Sequence, residues 1–248
     1  MFSAGIKMKG RPKLGVVVPL ANEEDSISEF LDRVVAHLLP QESVYCVLDN
    51  VCKDRTKDIV QNRGVHDPRI KMVWAPENRC VVDAYVRGYR EALADGAEWI
   101  LEMDGGLSHL PEEIPQFVQG MEAGYDYVGG SRYLPGACHH SPRTRVFISR
   151  GGTWLTNLLL RTGMTDMTSG YECFTRDALQ YVLDRGIISR ANFFQTEIRF
   201  MMHRFKWLEV PIKYTNAQYS IGRNSLREAF TNLWRLHKNK ASYLAKDA

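Results

Sequence analysis

Four times within its first 103 residues the chain writes out a short apolar run, at Leu14–Pro19, Ser43–Leu48, Ile70–Trp74 and Trp99–Met103. Helix signals fill the intervals. Asn22-Glu23-Glu24-Asp25-Ser26 opens an amphipathic stretch through Leu39, Asp54–Asn62 reads as a second helix, and Val82 to Ala94 as a third. Strand and helix alternating at this spacing predict an α/β fold with a mainly parallel central sheet, right-handed crossovers and helices on both faces. In such a sheet ligands bind in the crevice outside the carboxyl ends of the strands. Two of the runs end there in acid, one in Asp49-Asn50 and the other in Asp104.

Asp104 is followed by Gly105-Gly106, which let the backbone turn sharply before Ser108 and His109. A lone carboxylate on a glycine turn at a strand end either holds a cation or polar ligand, or simply caps the next turn. The first strand excludes two familiar nucleotide sites. It is followed by PLANEED, so it lacks both the GxGxxG that brings backbone against a pyrophosphate and the GxxxxGK[ST] phosphate loop. What remains is a nucleotide site built from side chains, with Asp49 accepting from a base or ribose and Asp104 near the diphosphate.

Composition narrows the class further. With 248 residues, 44% of them hydrophobic, the chain can bury a full core, and a net charge of +3 is no uniform basic field for nucleic acid. No apolar run reaches membrane-spanning length, and the start MFSAGIKMKGRPK has no apolar signal core, so a soluble cytoplasmic chain is expected. Five scattered cysteines without a CxxC pair predict free thiols and no thiolate zinc site.

PLANEE, VLDNVCKDRTKDIV and EMDGGLSHLPEEIPQFV together resemble the family 2 glycosyltransferases of the GT-A fold, with the nearest likeness to dolichol- and polyprenyl-phosphate mannosyltransferases. The likeness continues through Gly130–Tyr133, Ser149–Gly151, Asp166–Tyr171, Phe194–Glu197 and Glu209–Ile212. The resemblance implies nucleotide-sugar contacts at Pro19, Asn22, Glu23, Asp49, Asp54, Asn78 and Asp104. It also implies a Mg²⁺ or Mn²⁺ ion at the family's D-x-D. Here Gly106 stands in place of the second carboxylate, leaving Asp104 and the donor diphosphate as ligands.

The second half reads as the acceptor side. A further strand at Tyr127–Ser131 leads to Arg132, and the loop Leu134–Arg145, after which a helix is expected to begin near Arg145, contains Cys138-His139-His140, expected to be exposed rather than metal-binding. Arg132 and Arg150, on family motifs, are candidates for phosphate contacts or else surface charges. A helix at Gly151–Arg161 carries Trp154, Leu155, Leu158 and Leu159 on a stripe expected to face the core. Asp166 and Glu197 are candidate bases for a hydroxyl acceptor, although Glu197 is equally a first-turn carboxylate favouring a helix dipole. From Ser225 an amphipathic basic helix sets Leu226, Ala229, Phe230, Leu233, Trp234 and His237 on one face, to pack on the core or rest on an anionic membrane. Arg223 or Arg227 would replace the lysine of the family's G-x-S-K.

The expected organisation is a basic leader at 1–13, a GT-A domain at 14–224 divided near residue 130 into nucleotide-sugar and acceptor halves, and the terminal helix at 225–248. The resemblance implies an inverting hexosyl transfer, mannose-like and from a donor such as GDP-mannose, to a polyprenyl phosphate or a saccharide. Peripheral membrane contact and a homodimer stay open as partners. A non-catalytic nucleotide-sugar-binding protein and a sugar-phosphate nucleotidyltransferase are the alternatives.

Overall fold

The four apolar runs are adjacent strands of one sheet in a computed structural model that describes residues 10–215 and 223–244. Its first half is β1 (Leu14–Leu20), α1 (Ile27–Val35), β2 (Ser43–Leu48), α2 (Thr56–His66), β3 (Ile70–Trp74), α3 (Val81–Ala94) and β4 (Trp99–Glu102). A 3-10 turn at Pro111–Glu113 then leads into α4 (Ile114–Glu122) and β5 (Tyr127–Ser131). The second half is β6 (Cys138–His139), α5 (Arg143–Leu160), β7 (Glu172–Thr175), α6 (Arg176–Arg185), α7 (Phe194–Met202), β8 (Trp207–Pro211) and β9 (Lys213–Tyr214). The helices α8 (Arg223–Lys238) and α9 (Lys240–Leu244) follow.

The main sheet runs β3-β2-β1-β4-β7-β5-β8, with β7 antiparallel to both its neighbours and every other pairing parallel. Alternation along β1 divides the core between the two faces. Val16 and Val18 pack with Phe30 and Phe117, while Val17 packs with Tyr45, Tyr85 and Tyr89. On the second face α3 lies directly on the strands at Gly88, where a Cβ would come within 2.3 Å of Val17 and 2.9 Å of Val47.

The chain passes from β1 outward through β2 to β3 and then returns to lay β4 on the other side of β1. That reversal is a topological switch point, where side chains beyond two diverging strand ends leave a crevice. Residues just past Leu20 and Glu102 therefore border it. The PLANEED turn and the Asp104 turn are those residues.

Three expectations change. The helix expected to begin near Arg145 begins at Arg143, but Trp154 and Leu158 face solvent rather than core, because the core side of α5 is taken by Ser149, Thr153, Thr156 and Leu160. The loop after Tyr133 contains the short strand β6, which pairs with β9, Cys138 against Lys213 and His139 against Tyr214. The single apolar face expected on the last helix is two faces, with Leu233 and Leu236 buried and Phe230 and Trp234 exposed. Most of the expected leader, residues 1–9, and the Arg223 side chain lie outside the described residues, while Arg227 is exposed. No helix among the described residues is long and apolar enough to cross a membrane.

Candidate active site

Asp104 sits two residues beyond β4 on a tightly wound turn. Gly106 and Leu107 take left-handed φ angles of 68° and 61°, and the Leu107 carbonyl accepts from Thr215 Oγ1 at 2.6 Å. A left-handed leucine is uncommon and persists only where its surroundings hold it. The turn closes on itself through His109, whose Nδ1 accepts the Asp104 backbone N–H at 3.0 Å. His109 is buried, stacked on Tyr171 at 4.8 Å and edge-on to Tyr214 at 5.3 Å. Burial pushes its pKa below the ordinary histidine value, so it is the neutral ring with the proton on Nε2. The Asp104 carboxylate is 44% exposed and accepts from the Tyr85 hydroxyl at 2.9 Å through Oδ1.

Around Asp104 opens a cavity of about 510 Å³. Its polar end includes Tyr85, Asp104, His109, Arg132 and Arg145, and its other end runs between α5 and α8 past Ile148, Leu155, Leu226 and Leu233. Asp104 is the one carboxylate among the described lining residues. Arg145 reaches the cavity because it shares a helical stripe with Ser149, Gly152 and Thr156, spaced three to four residues apart, and all of them line it.

The same helical phase removes Arg150 from the site. It is exposed, lies over the Tyr133 ring at 5.1 Å, and borders a separate shallow cleft with His139 and Arg143. Arg132 does line the cavity, and Asp166 is what fixes it there. The Arg132 Nε and Nη2 donate to the two Asp166 oxygens at 2.7 and 2.9 Å, and Nη2 also donates to Ser149 and Thr168. Burial alone would raise the Asp166 carboxyl, but the Arg132 guanidinium holds it far below the usual range. Asp166 is thus a buried counter-ion, not the expected base.

Glu197 is also corrected. Its two oxygens accept the backbone N–H groups of Ile188 and Ser189, each at 3.0 Å, and the side chain is buried away from the cavity. It caps the segment leading into α7, which answers the open choice in favour of structure. Gln195, from the Phe194–Glu197 motif, lines the cavity instead, and so do two residues with little sequence signal, Tyr85 and Tyr214. Nothing in their spacing marks them, since each arrives from a different element.

The motif residues of the first half form a lace between two loops. Asn22, itself left-handed at φ 59°, donates to the Val51 carbonyl and accepts from Lys53 N; Thr56 Oγ1 accepts from Glu23 N, and Asp54 from Glu24 N and Thr56 N. Against the cost of burial, the Thr56 and Glu24 bonds bring the Asp54 carboxyl down to about 2. Asn22 and Asp54, expected on the nucleotide, spend their side chains shaping the crevice wall. Asp49, half-exposed at the end of β2, accepts from Val51 N through Oδ1. Pro19 is the penultimate residue of β1, Asn78 follows β3, and the Glu23 carboxylate accepts from Ser26 Oγ at 2.8 Å.

Behind the cavity lies a layer of buried charge. Arg199 donates to Glu172 at 2.7 Å and to the carbonyls of Asp166, Ser169 and Gly130, tying the 166–170 loop to β5 and β7. Glu102 accepts from Gln195 at 2.8 Å. Burial, reinforced by Glu172 nearby, pushes its carboxyl well above the usual range, and burial pushes Glu172 up to about 7 despite Arg199.

Residues 15–183 match the sequence pattern of glycosyl transferase family 2. The polyprenol monophosphomannose synthase of Mycolicibacterium smegmatis is 29% identical over 221 residues, 86% of this chain and 83% of that protein. The undecaprenyl-phosphate mannosyltransferase of Micrococcus luteus is 29% identical over 225 residues, 88% and 91% respectively. Glucosyl-3-phosphoglycerate synthase from Mycobacterium tuberculosis, crystallised with Mn²⁺, UDP-glucose and phosphoglyceric acid, superposes with a TM-score of 0.67 at 14% identity, covering 92% of this chain and 80% of that one. The mainly parallel sheet is that of the GT-A fold.

Proposed function

The chain belongs to glycosyl transferase family 2, and on that footing we propose that it moves a mannose-like hexose, with inversion, from a nucleotide diphosphate sugar such as GDP-mannose to a polyprenyl phosphate. Two of its relatives bear the names of enzymes for that class of acceptor. The observation that carries the acceptor is the lining of the cavity. Among the described residues Asp104 is its one carboxylate, and the His109 Nδ1 is already occupied by the Asp104 N–H. A sugar hydroxyl would need a base to take its proton, whereas a phosphate with a second pKa of about 6 is largely ionised at neutral pH and attacks unaided. The apolar end between α5 and α8 suits a prenyl chain, and the polar end suits its phosphate.

The residues fit a divalent ion held in part by substrate. Asp104 offers a half-exposed hard oxygen, and no cluster of three or more His, Cys, Asp or Glu among the described residues forms a cage of its own. Mg²⁺ or Mn²⁺ on Asp104, when bound, would neutralise charge on the leaving diphosphate. Tyr85 keeps the Asp104 carboxylate aimed, since it donates to Oδ1 and stays protonated in its buried position. Arg132, pinned by Asp166, brings positive potential to the polar end without having to reorganise during transfer, and Arg145 adds to it from α5. On this reading the chain works in the cytoplasm at the inner face of a membrane, where nucleotide sugar and lipid phosphate meet.

Calorimetric titration with GDP-mannose, UDP-glucose and a dTDP-sugar, each with and without Mn²⁺, tests the donor; equal heats for all three would remove it. Transfer assays with undecaprenyl phosphate and with a free saccharide test the acceptor. Turnover confined to the saccharide would overturn it, and binding of the donor without any turnover would return the chain to the non-catalytic alternative.

A further inference from the structure

The turn that carries Asp104 is pressed against the end of β1. Met103 N donates to the Val17 carbonyl at 3.2 Å, and a Cβ on Gly105 would fall 2.5 Å from the Leu20 side chain. One residue on, the turn meets Glu23. A Cβ on Gly106 would lie no more than 3.0 Å from the carbon and both oxygens of the Glu23 carboxylate. That carboxylate therefore stands in the space an acid at position 106 would use. It comes from the other strand end, yet it borders the turn only two residues from Asp104.

Glu23 is held in place by its backbone. Its N–H donates to Thr56 Oγ1 at 2.7 Å, and its carbonyl accepts from Ser26 N at 3.0 Å and Ile27 N at 2.8 Å, where α1 opens. The side chain is thus not needed to start the helix. Its Oε2 accepts from Ser26 Oγ, and among the described residues no donor meets Oε1. No described Lys or Arg pairs with Glu23, nor with the Asp104 carboxylate, whose neighbours are the Tyr85 hydroxyl and the neutral His109 ring. Two carboxylates without a cationic partner, edging the crevice at the switch point between β1 and β4, would repel a diphosphate unless a cation lay between.

We infer that Glu23 supplies the second carboxylate of the cation site, replacing from β1 the acid that Gly106 does not provide. A divalent ion of the Mg²⁺ or Mn²⁺ type is held by one or two carboxylates together with substrate phosphates and water, and Glu23 with Asp104 makes two. Oε1 is the oxygen left free for the ion. Glu23 then acts on the cation and not on the nucleotide itself, which differs from the contact its motif implies. The diphosphate in this arrangement rests on the proposed function, whereas the pairing of the two carboxylates stands on the turn alone.

The test reads binding and no turnover. Mn²⁺ is titrated calorimetrically into the full chain, alone and with GDP or UDP present, and each nucleotide is titrated again in EDTA. Glu23→Gln keeps an acceptor for Ser26 Oγ and removes the charge. We expect it to weaken Mn²⁺ binding about tenfold or more and to leave nucleotide binding in EDTA unchanged or slightly tighter, since one repelling charge is gone. Glu23→Ala/Gly106→Asp returns a carboxylate to the same space and is expected to bind Mn²⁺ more tightly than Glu23→Ala, a recovery that a purely structural role for Glu23 would not give. Urea unfolding reports that each variant is folded. Unchanged Mn²⁺ affinity in Glu23→Gln overturns the inference. So does a loss of nucleotide in EDTA as large as the loss of Mn²⁺, which would make Glu23 a direct contact to the nucleotide, and so does a wild type that binds nucleotide but no Mn²⁺. That last result leaves hexosyl transfer standing, while Mn²⁺ binding that depends on Glu23 without any transfer would remove the proposed function and leave this ligand in place.

Discussion

Glu23 and Gly106 meet across the crevice so closely that a Cβ on Gly106 would fall 2.7 and 2.8 Å from the two Glu23 carboxylate oxygens. The position where relatives of this family are expected to carry a second acid is therefore filled from the β1 side, and it also needs a left-handed backbone at φ 68°. Gly106→Asp should not restore a cation site. It is expected to cost about 1–3 kcal/mol of stability through backbone strain and crowding, with no tighter binding of Mn²⁺. Relief should come from the other side, so that Glu23→Ala/Gly106→Asp loses less than the sum of the single variants. Urea unfolding and Mn²⁺ calorimetry measure both; a stable Gly106→Asp protein with improved Mn²⁺ affinity would show that the two side chains do not compete.

Tyr85→Phe isolates the orientation of Asp104. The ring packs against Phe194 at 5.3 Å and Tyr89 at 6.0 Å, and phenylalanine preserves both contacts while deleting only the 2.9 Å bond to Oδ1. A hydrogen bond to a charged acceptor contributes about 1.5–3 kcal/mol, so a drop in kcat of about tenfold or more is expected. Thermal stability should fall by no more than that bond contributes, and Asp104→Ala should remove turnover altogether. Full activity in Tyr85→Phe would mean that Asp104 needs no such restraint.

Glu197→Gln distinguishes a cap from a base. A general base is worth about 10²–10⁴ in rate, and its loss would also remove the acidic limb of the pH–rate profile. Because both oxygens are committed to the N–H groups of Ile188 and Ser189, glutamine is expected to lower the unfolding midpoint and leave kcat and the profile shape nearly unchanged. A collapse of kcat in a folded protein would put Glu197 back into the chemistry.

Some of this was legible in the chain and some was not, for reasons that lie in particular residues. The strands and Asp104 are readable because β-branched runs and a glycine turn are local signals, and a mainly parallel sheet then follows from helix-length connections, whereas the antiparallel β7 does not. Arg132 and Arg150 look alike in sequence because what separates them is which face of α5 meets the rest of the protein, and that is set by packing. Glu197 was ambiguous because its partners lie outside its helix, and the Tyr85 hydroxyl meets Asp104 only after α3 has crossed the sheet. Trp154 and Leu158 kept the right period for a core stripe, but period says only that residues share a side. Which side is covered depends on what packs there, and in α5 the covered side is the one with Ser149, Thr153 and Thr156.

The buried acids behind the cavity give the fold an unusual dependence on pH. Burial raises the folded-state pKa of Glu102 well above the ordinary value and that of Glu172 to about 7, so the folded chain binds more protons than the unfolded one across neutral pH. With more protons bound in the native state, stability falls as pH rises. This contribution is fully present below the ordinary glutamate value and is lost as pH rises through the folded values. His109 acts in the opposite sense, because its depressed pKa costs stability only below its unfolded value of 6.5. Asp54, held at about 2, does so only at more acid pH. From pH about 6.5 to 8 the glutamates therefore act with little opposition, with a slope of about 1.4 kcal/mol per pH unit for each full proton of difference. Glu102→Gln keeps the acceptor for Gln195 and removes the titration. The variant should match the wild type near pH 5 and surpass it at pH 8 in thermal unfolding. Parallel melting curves for the two proteins across that range would mean that Glu102 is ionised in the folded chain, with its charge balanced by Arg199.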